Sequence, residues 1–202
     1  MTSPKQIQLE NIAETDFEIF ALLKQRYSPR IFNNEPIKSR HIKQLFEAIR
    51  WSASSNNLQP WRFIYAEKGT KGFQNIFDCL SDFNQTWADN APFLMLAAYK
   101  ENDNEGKENF HALHDLGLCL GAMTVQAQYL GIGVHHMAGV NWEEAHAKLQ
   151  VPEGYHVATA IALGYYGGDL NDLPEELQKQ ETDKRHRNPQ ESFAFRGMWN
   201  EK

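Results

Sequence analysis

The sequence predicts a single domain over residues 1–202, of α+β or α/β class, with helices around one sheet. Three observations carry that expectation. Apolar stripes at helical spacing alternate along the chain with runs of strand composition, no internal repeat occurs, and no Pro/Gly-rich linker divides the chain.

Thr15-x-x-Glu18 has the spacing of a reciprocal helix cap, and apolar Phe17, Phe20, Leu22 and Leu23 accompany it. A first helix is therefore expected to run to near Tyr27, where Pro29 disfavours helical geometry at Ser28. Ser39 is placed to cap a second helix whose Ile42, Leu45, Phe46 and Ile49 form one stripe. The polar run Ser52-Ala-Ser-Ser-Asn-Asn reads as loop, Trp61 to Ala66 as strand, and Phe73, Ile76, Phe77 and Leu80 as a further helical stripe. Phe93 to Tyr99 is apolar on both parities, as a strand buried on both faces would be, so a central place is expected for it. Lys100 to Asn109 is charged and aperiodic, hence a loop or flap.

The longest helical pattern runs from Phe110 to Leu130, with Leu113, Leu116, Leu120, Met123 and Ala127 inward and Gly131 placed to end it. Asn141-x-x-Glu144 opens a short helix, and Val151-Pro-Glu-Gly turns into His156 to Leu163. That last segment alternates, with Val157, Thr159, Ile161 and Leu163 on one side and Ala158, Ala160 and Ala162 on the other. An all-alanine face invites close packing, and Gly117 and Gly121 on the long helix are expected to supply it.

Twenty Lys plus Arg against 26 Asp plus Glu give a net charge of -6, the wrong sign for coating nucleic acid or an anionic bilayer. Cys79 and Cys119 lie far apart with no CxxC, so reduced, packed thiols are expected. Met1 to Asp16 has no apolar h-region, and Phe93 to Tyr99 is far shorter than the ~18 to 20 residues of a membrane span. A cytoplasmic protein without nucleic-acid or membrane partners is the expectation. No dinucleotide-binding glycine motif, P-loop, nucleophile elbow or zincin motif is present. His111-x-x-His114 with Asp115 lacks a third ligand at metal-binding spacing, so no metal is expected. His135-His136 alternates across a strand, so at most one of the pair faces a given site.

Three constellations stand out. Arg26-Tyr-Ser28-Pro-Arg30-Ile-Phe32 is held extended by Pro29, which puts Arg26, Ser28 and Arg30 on one face, as an anion site or as a surface ion-pair cluster. Ser54-Ser55-Asn56-Asn57-Leu58-Gln59-Pro60-Trp61-Arg62-Phe63 crowds short hydroxyls and amides in front of an aromatic strand, which suits a polar planar ligand. Arg185-His-Arg187 again sets two guanidinium groups at alternate positions, in what alone could be a solvated tail.

Taken in order, these motifs resemble the nitroreductase family of FMN-dependent oxidoreductases, whose pattern runs R-x-S-x-[RK]-x-F, then P-S-x-x-N-x-Q-P-W-x-F, then a basic pair near the C-terminus. The likeness extends to Asp115-Leu-Gly117, to Leu130-Gly-Ile-Gly133 and to Ala160-Ile-Ala-Leu-Gly164-Tyr. It implies an α+β fold in which a mixed sheet is wrapped by helices, and a homodimer with FMN at the interface. It also implies an enzyme that takes hydride from NAD(P)H and passes it, in ping-pong fashion, to an electron-poor acceptor such as a nitroaromatic or quinone. Dehalogenation or enone reduction on the same fold, or non-catalytic FMN binding, are the alternatives.

By the same resemblance Arg26, Arg185 and Arg187 correspond to phosphate ligands. Tyr27 and Ser28 flank them as further cofactor contacts, and Arg30 takes the place of the cation beside flavin N1 and O2, where reduced flavin carries its charge. Ala53, Ser54, Ser55 and Asn57 correspond to residues that reach the flavin from the partner subunit. Asn84 matches an amide near the ribityl chain and ring edge, and Gly139, after Ala138, the backbone N–H donor near N5. No side chain is cast as a nucleophile. Two departures bear on the chemistry: Ala53 stands where the family usually has Pro, and Trp87 where some members have a second Lys, which leaves Arg30 as the main charge on the N1 side. The flap over residues 100–110 is also short.

Overall fold

Phe93 to Ala98 is a run of unbroken burial, and the fold is arranged around it. The computed structural model describes residues 4–199; Met1 to Ser3, where the polar N-terminal stretch begins, lie outside them. Helices α1 (Pro4–Glu10), α2 (Ala21–Gln25) and α3 (Ser39–Arg50) precede strand β1 (Trp61–Glu67). Helices α4 (Lys71–Asp78) and α5 (Asp82–Gln85) lead to β2 (Phe93–Lys100), and the long α6 (Ala112–Tyr129) to β3 (Ile132–Met137). Helix α7 (Trp142–Leu149) precedes β4 (Tyr155–Tyr165), and α8 (Glu175–Thr182) follows it.

The sheet has the order β1-β2-β4-β3, which places β2 between two neighbours as its composition requires. Every pairing is antiparallel, so the expected mixed sheet is not what forms among the described residues. The reason lies in β4. Strands β2 and β3 run parallel to each other and are joined across α6, but β4 inserts between them and pairs antiparallel with both.

Each face of the sheet carries its own core. Phe93, Met95 and Ala97 of β2 point toward α3 and α6, where they meet Ile42, Leu45, Ile49, Leu116, Leu120 and Met123. Leu94, Leu96 and Ala98 point the other way, toward Phe73, Ile76, Leu80, Ala145 and Leu177. The alternation expected of β4 holds only in part. The register shifts opposite Ala97 and Ala98, and this irregularity sends Val157 to the same face as Ala160 and Ala162, while Ala158 joins Ile161 and Leu163 on the other. The alanine side therefore does not receive α6, which packs instead on Ile161 and Leu163. Gly117 and Gly121 lie exposed, with open space where a Cβ would stand. Leu113 is likewise 57% exposed, outside the inward stripe.

Local signals succeed where a core supports them. Asn141 caps α7 by accepting from the Glu144 N–H at 3.0 Å. The helix expected from Thr15 does not form there: α2 begins only at Ala21, with Phe20 at its N-cap and no side-chain cap bond. Phe17 and Phe20 are 66% and 60% exposed, so no burial supports a turn whose nucleation is costly. Ser39 is the first residue of α3, with Lys38 at the cap. The 100–109 segment is a tight loop, bridged at Asn102 and Glu108, in which Asp103 Oδ1 accepts from the Glu105 and Lys107 N–H groups.

Candidate functional site

The segment from Arg26 to Arg30 alternates as its sequence asks: Tyr27, Pro29 and Ile31 are buried, while Arg26, Ser28 and Arg30 face outward or half-outward. The Tyr27 ring stacks on Tyr166 at 5.1 Å, so its side chain serves the core. Arg26 Nη1 donates to Ser28 Oγ at 3.3 Å. Gly133 of β3 seats this segment, because a Cβ there would overlap the Pro29 ring and stand 3.0 Å from Tyr166. His135 Nδ1 lies 3.1 Å from the Pro29 carbonyl and adds a polar tie, while His136 Nε2 turns to Thr124 of α6 at 3.0 Å.

The C-terminal arginines arrive at the same place. Arg185 donates to the Arg26 carbonyl at 2.5 Å, to that of Lys24 at 3.3 Å, and to that of Asn11. Asn11 in turn donates to the Glu181 carbonyl at 3.1 Å. Burial, with the neighbouring Arg26 and Arg187 charges, lowers the Arg185 pKa, and burial with Arg187 lowers that of Arg26. A cleft of about 690 Å³ opens between residues 13–23 and 185–189, with Arg26, Arg185 and Arg187 in its wall. Glu14 and Asp16 also line it, and Glu14 is engaged by Lys184 at 2.8 Å. None of the three arginines pairs with a carboxylate among the described residues. Three neighbouring cations that no carboxylate pairs with among the described residues fit a phosphate dianion.

Arg30 is held differently. Its N–H donates to both oxygens of Glu181, at 3.0 and 3.2 Å, and its Nη1 stands 3.8 Å from the same carboxylate. The guanidinium lies 6.0 Å from the centre of the Trp87 ring, whose other neighbour is His135 at 4.5 Å. Both Arg30 Nε and Trp87 Nε1 are buried donors without an acceptor among the described residues. Burial together with the Arg30 charge lowers the His135 pKa to about 4, so this ring is neutral at pH 7.

The second constellation sits elsewhere. Ser54 Oγ accepts from the Gln59 N–H at 3.1 Å, and Asn57 Oδ1 from Gln59 Nε2 at the same distance. The Ser55 N–H donates to Asp115 Oδ2 at 3.0 Å, which pins the loop to the first turn of α6. Asn56, Asn57 and Gln59 hold left-handed backbone conformations, and Ala53 is exposed. Thr124, where α6 meets His136 on the arginine side, lies nine residues further along, ~14 Å at 1.5 Å per residue. One chain therefore does not bring Ser54, Ser55 and Asn57 onto the arginine cleft. Asn84 is buried and donates to the Gly139 carbonyl at 2.9 Å, and a Cβ on Gly139 would lie 2.7 Å from that amide. Ala138 beside it is exposed.

Glu181 and Asn11 escaped the sequence reading. Glu181 continues the Leu173 and Leu177 spacing at i+4, so a carboxylate stands on an apolar stripe and is 4% exposed. A charge on a core position was the available signal.

Fold and site together present a basic cleft suited to an anionic ligand. The nitroreductase family model matches residues 23–78 and 72–165. A crystal structure described as an oxidoreductase containing FMN is 30% identical, covers 94% of this chain and 96% of its own, and superposes with a TM-score of 0.87. YfhC of Bacillus subtilis (strain 168), named as a candidate NAD(P)H nitroreductase, is 25% identical over 71% of this chain and 82% of its own length. The FMN reductase [NAD(P)H] of the same organism is 24% identical over 73% of this chain and 66% of its length. The chain belongs to the nitroreductase family, and it is an oxidoreductase enzyme.

Proposed function

We propose that the protein is an FMN-dependent NAD(P)H oxidoreductase that alternates between oxidation of the nicotinamide and reduction of an electron-poor acceptor, a nitroaromatic or quinone, at one site. FMN held there would supply the hydride-transfer chemistry. The residues supply position and charge. Arg26, Arg185 and Arg187 take the phosphate with Ser28 beside them, and the backbone at Tyr27 carries the segment that aligns them. Arg30 offers its charge to the pyrimidine edge of the ring, where reduction accumulates negative charge. Asn84 holds the Gly139 carbonyl and so fixes the Gly139–Val140 peptide, next to the Gly139 N–H that is offered toward N5.

Ala53, Ser54, Ser55 and Asn57 complete the site from a second copy of the chain. The outer face of α6 supports this reading, since Leu113 and Leu118 are 57% and 45% exposed beside the open Gly117 and Gly121. Trp51 at 75% and Phe110 at 80% add to the uncovered apolar surface.

The observation that carries the reading is the gathering of three arginines, from chain segments some 160 residues apart, around a cleft without a carboxylate partner for them. Sedimentation followed at both protein and flavin wavelengths tests it. One FMN per chain in a particle of twice 23.3 kDa is expected, with parallel initial-rate lines against NAD(P)H at several acceptor concentrations. A colourless protein that FMN does not reconstitute overturns the cofactor assignment, a flavin-loaded monomer the shared site, and intersecting lines the alternation.

A further inference from the structure

Glu181 is a buried charge that the phosphate and N5 contacts leave unused. Glu181 sits at the end of α8 with its side chain 1% exposed, and burying a carboxylate is unfavourable unless charge and hydrogen bonds offset it. Its partners are almost all one residue. Both oxygens accept the Arg30 N–H, and the Arg30 guanidinium approaches to 3.8 Å. The Tyr27 phenol also feels its charge, and burial raises that phenol further, so Tyr27 stays neutral. On the far side of Arg30 stand Trp87, which does not titrate, and His135, which is neutral above about pH 4. Among the described residues Glu181 is thus the one anion set against the cation that the functional reading places at the flavin.

We propose that Glu181 is a positioning residue that fixes the Arg30 backbone and sets, by its own ionisation, how much of the Arg30 charge the flavin feels. The inference rests on the FMN reading above. Ionised Glu181 compensates the guanidinium; protonated Glu181 leaves that charge free to stabilise reduced cofactor. Burial pushes its pKa up to about 7, against the pull of Arg30. Compensation is therefore complete above neutrality and lost as pH falls, and reduction, by adding negative charge nearby, favours proton uptake from solvent onto the carboxylate.

The experiment is an equilibrium titration of the flavin-loaded protein against a reference dye, wild type beside Glu181→Gln, from about pH 5.5 to 8.5. At the alkaline end the variant should favour the reduced form roughly tenfold more than wild type, ~30 mV for a two-electron couple, and the gap should close toward the acid end. Identical potentials at every pH in two flavin-loaded proteins overturn the proposal. Should Glu181→Gln not fold, infrared spectroscopy of the wild-type holoenzyme decides it: a protonated-carboxyl band that fades as pH rises through about 7 and grows on reduction supports the proposal, and its absence overturns it. A wild type without flavin absorbance overturns this and the functional reading together, and the spectrum distinguishes that case.

Discussion

Arg185 reaches 159 residues back along the chain to the Arg26 carbonyl, whereas Ser54 finds its partner five residues away in Gln59. The basic half of the site is a knot of distant segments: Asn11, Arg26, Arg30, Glu181 and Arg185 hold one another through backbone groups as much as through side chains. The hydroxyl-rich half is a self-contained turn tethered to α6 through the buried Asp115. A knot fails when any member is removed, and a tethered turn fails at its tether. The two halves should therefore answer mutation differently.

The largest effect is expected from Arg185→Ala. It removes the proposed phosphate contact and three carbonyl contacts at once, and hydrogen bonds to a charged donor are worth ~1.5 to 3 kcal/mol each. FMN affinity should fall at least a hundredfold and unfolding stability by ~3 kcal/mol, read by FMN titration and urea denaturation. Arg185→Lys should restore charge but not the fan of carbonyl bonds, so affinity should recover more than stability does. Equal recovery of both would erase the distinction between the two halves.

Asp115→Ala comes next. It strands the Ser55 N–H and costs ~1 to 3 kcal/mol, while FMN affinity should fall only about tenfold because the phosphate end is intact. Asp115→Asn still offers an oxygen to that N–H and should behave nearly as wild type. If Asp115→Ala weakens FMN as much as Arg185→Ala does, the tether is part of the knot.

Smallest step for step is a pH slope in the basic half. His135 has a native pKa of about 4 against an ordinary value of 6.5, so between those values the unfolded chain binds more protons than the folded one. Stability is therefore full above about pH 6.5 and falls as pH drops toward 4, by at most ~1.4 kcal/mol per pH unit. Thermal melts of wild type and His135→Phe across that window should show the slope in the first and a shallower one in the second.

Elements that carry their whole cause locally were legible in the sequence. The double-sided apolar run of β2, the Asn141 cap of α7 and the Leu116–Leu120–Met123 stripe of α6 needed nothing from elsewhere. The α2 start failed because a cap competes with burial, and Phe17 and Phe20 had no core to enter. The antiparallel sheet was hidden because no single strand encodes which neighbour slips between two others. The irregularity beside Ala158 is a property of pairing, not of β4 alone. At the site the arginines were legible as types at alternate positions, but Glu181 was not, since its meaning comes from Arg30, 151 residues away.

The place of β4 also bears on how the chain is made. It is the last of the described strands to leave the ribosome, and it fills an interior position of the sheet, between β2 and β3. Until residues 155–165 emerge, β2 and β3 each present an unpaired edge, and that of β2 is a row of large apolar residues from Phe93 to Leu96. Such edges recruit other strands. The nascent protein is thus in its most vulnerable form between the emergence of Lys100 and that of Tyr165, and a chain released before Tyr155 carries an open slot that another molecule can fill.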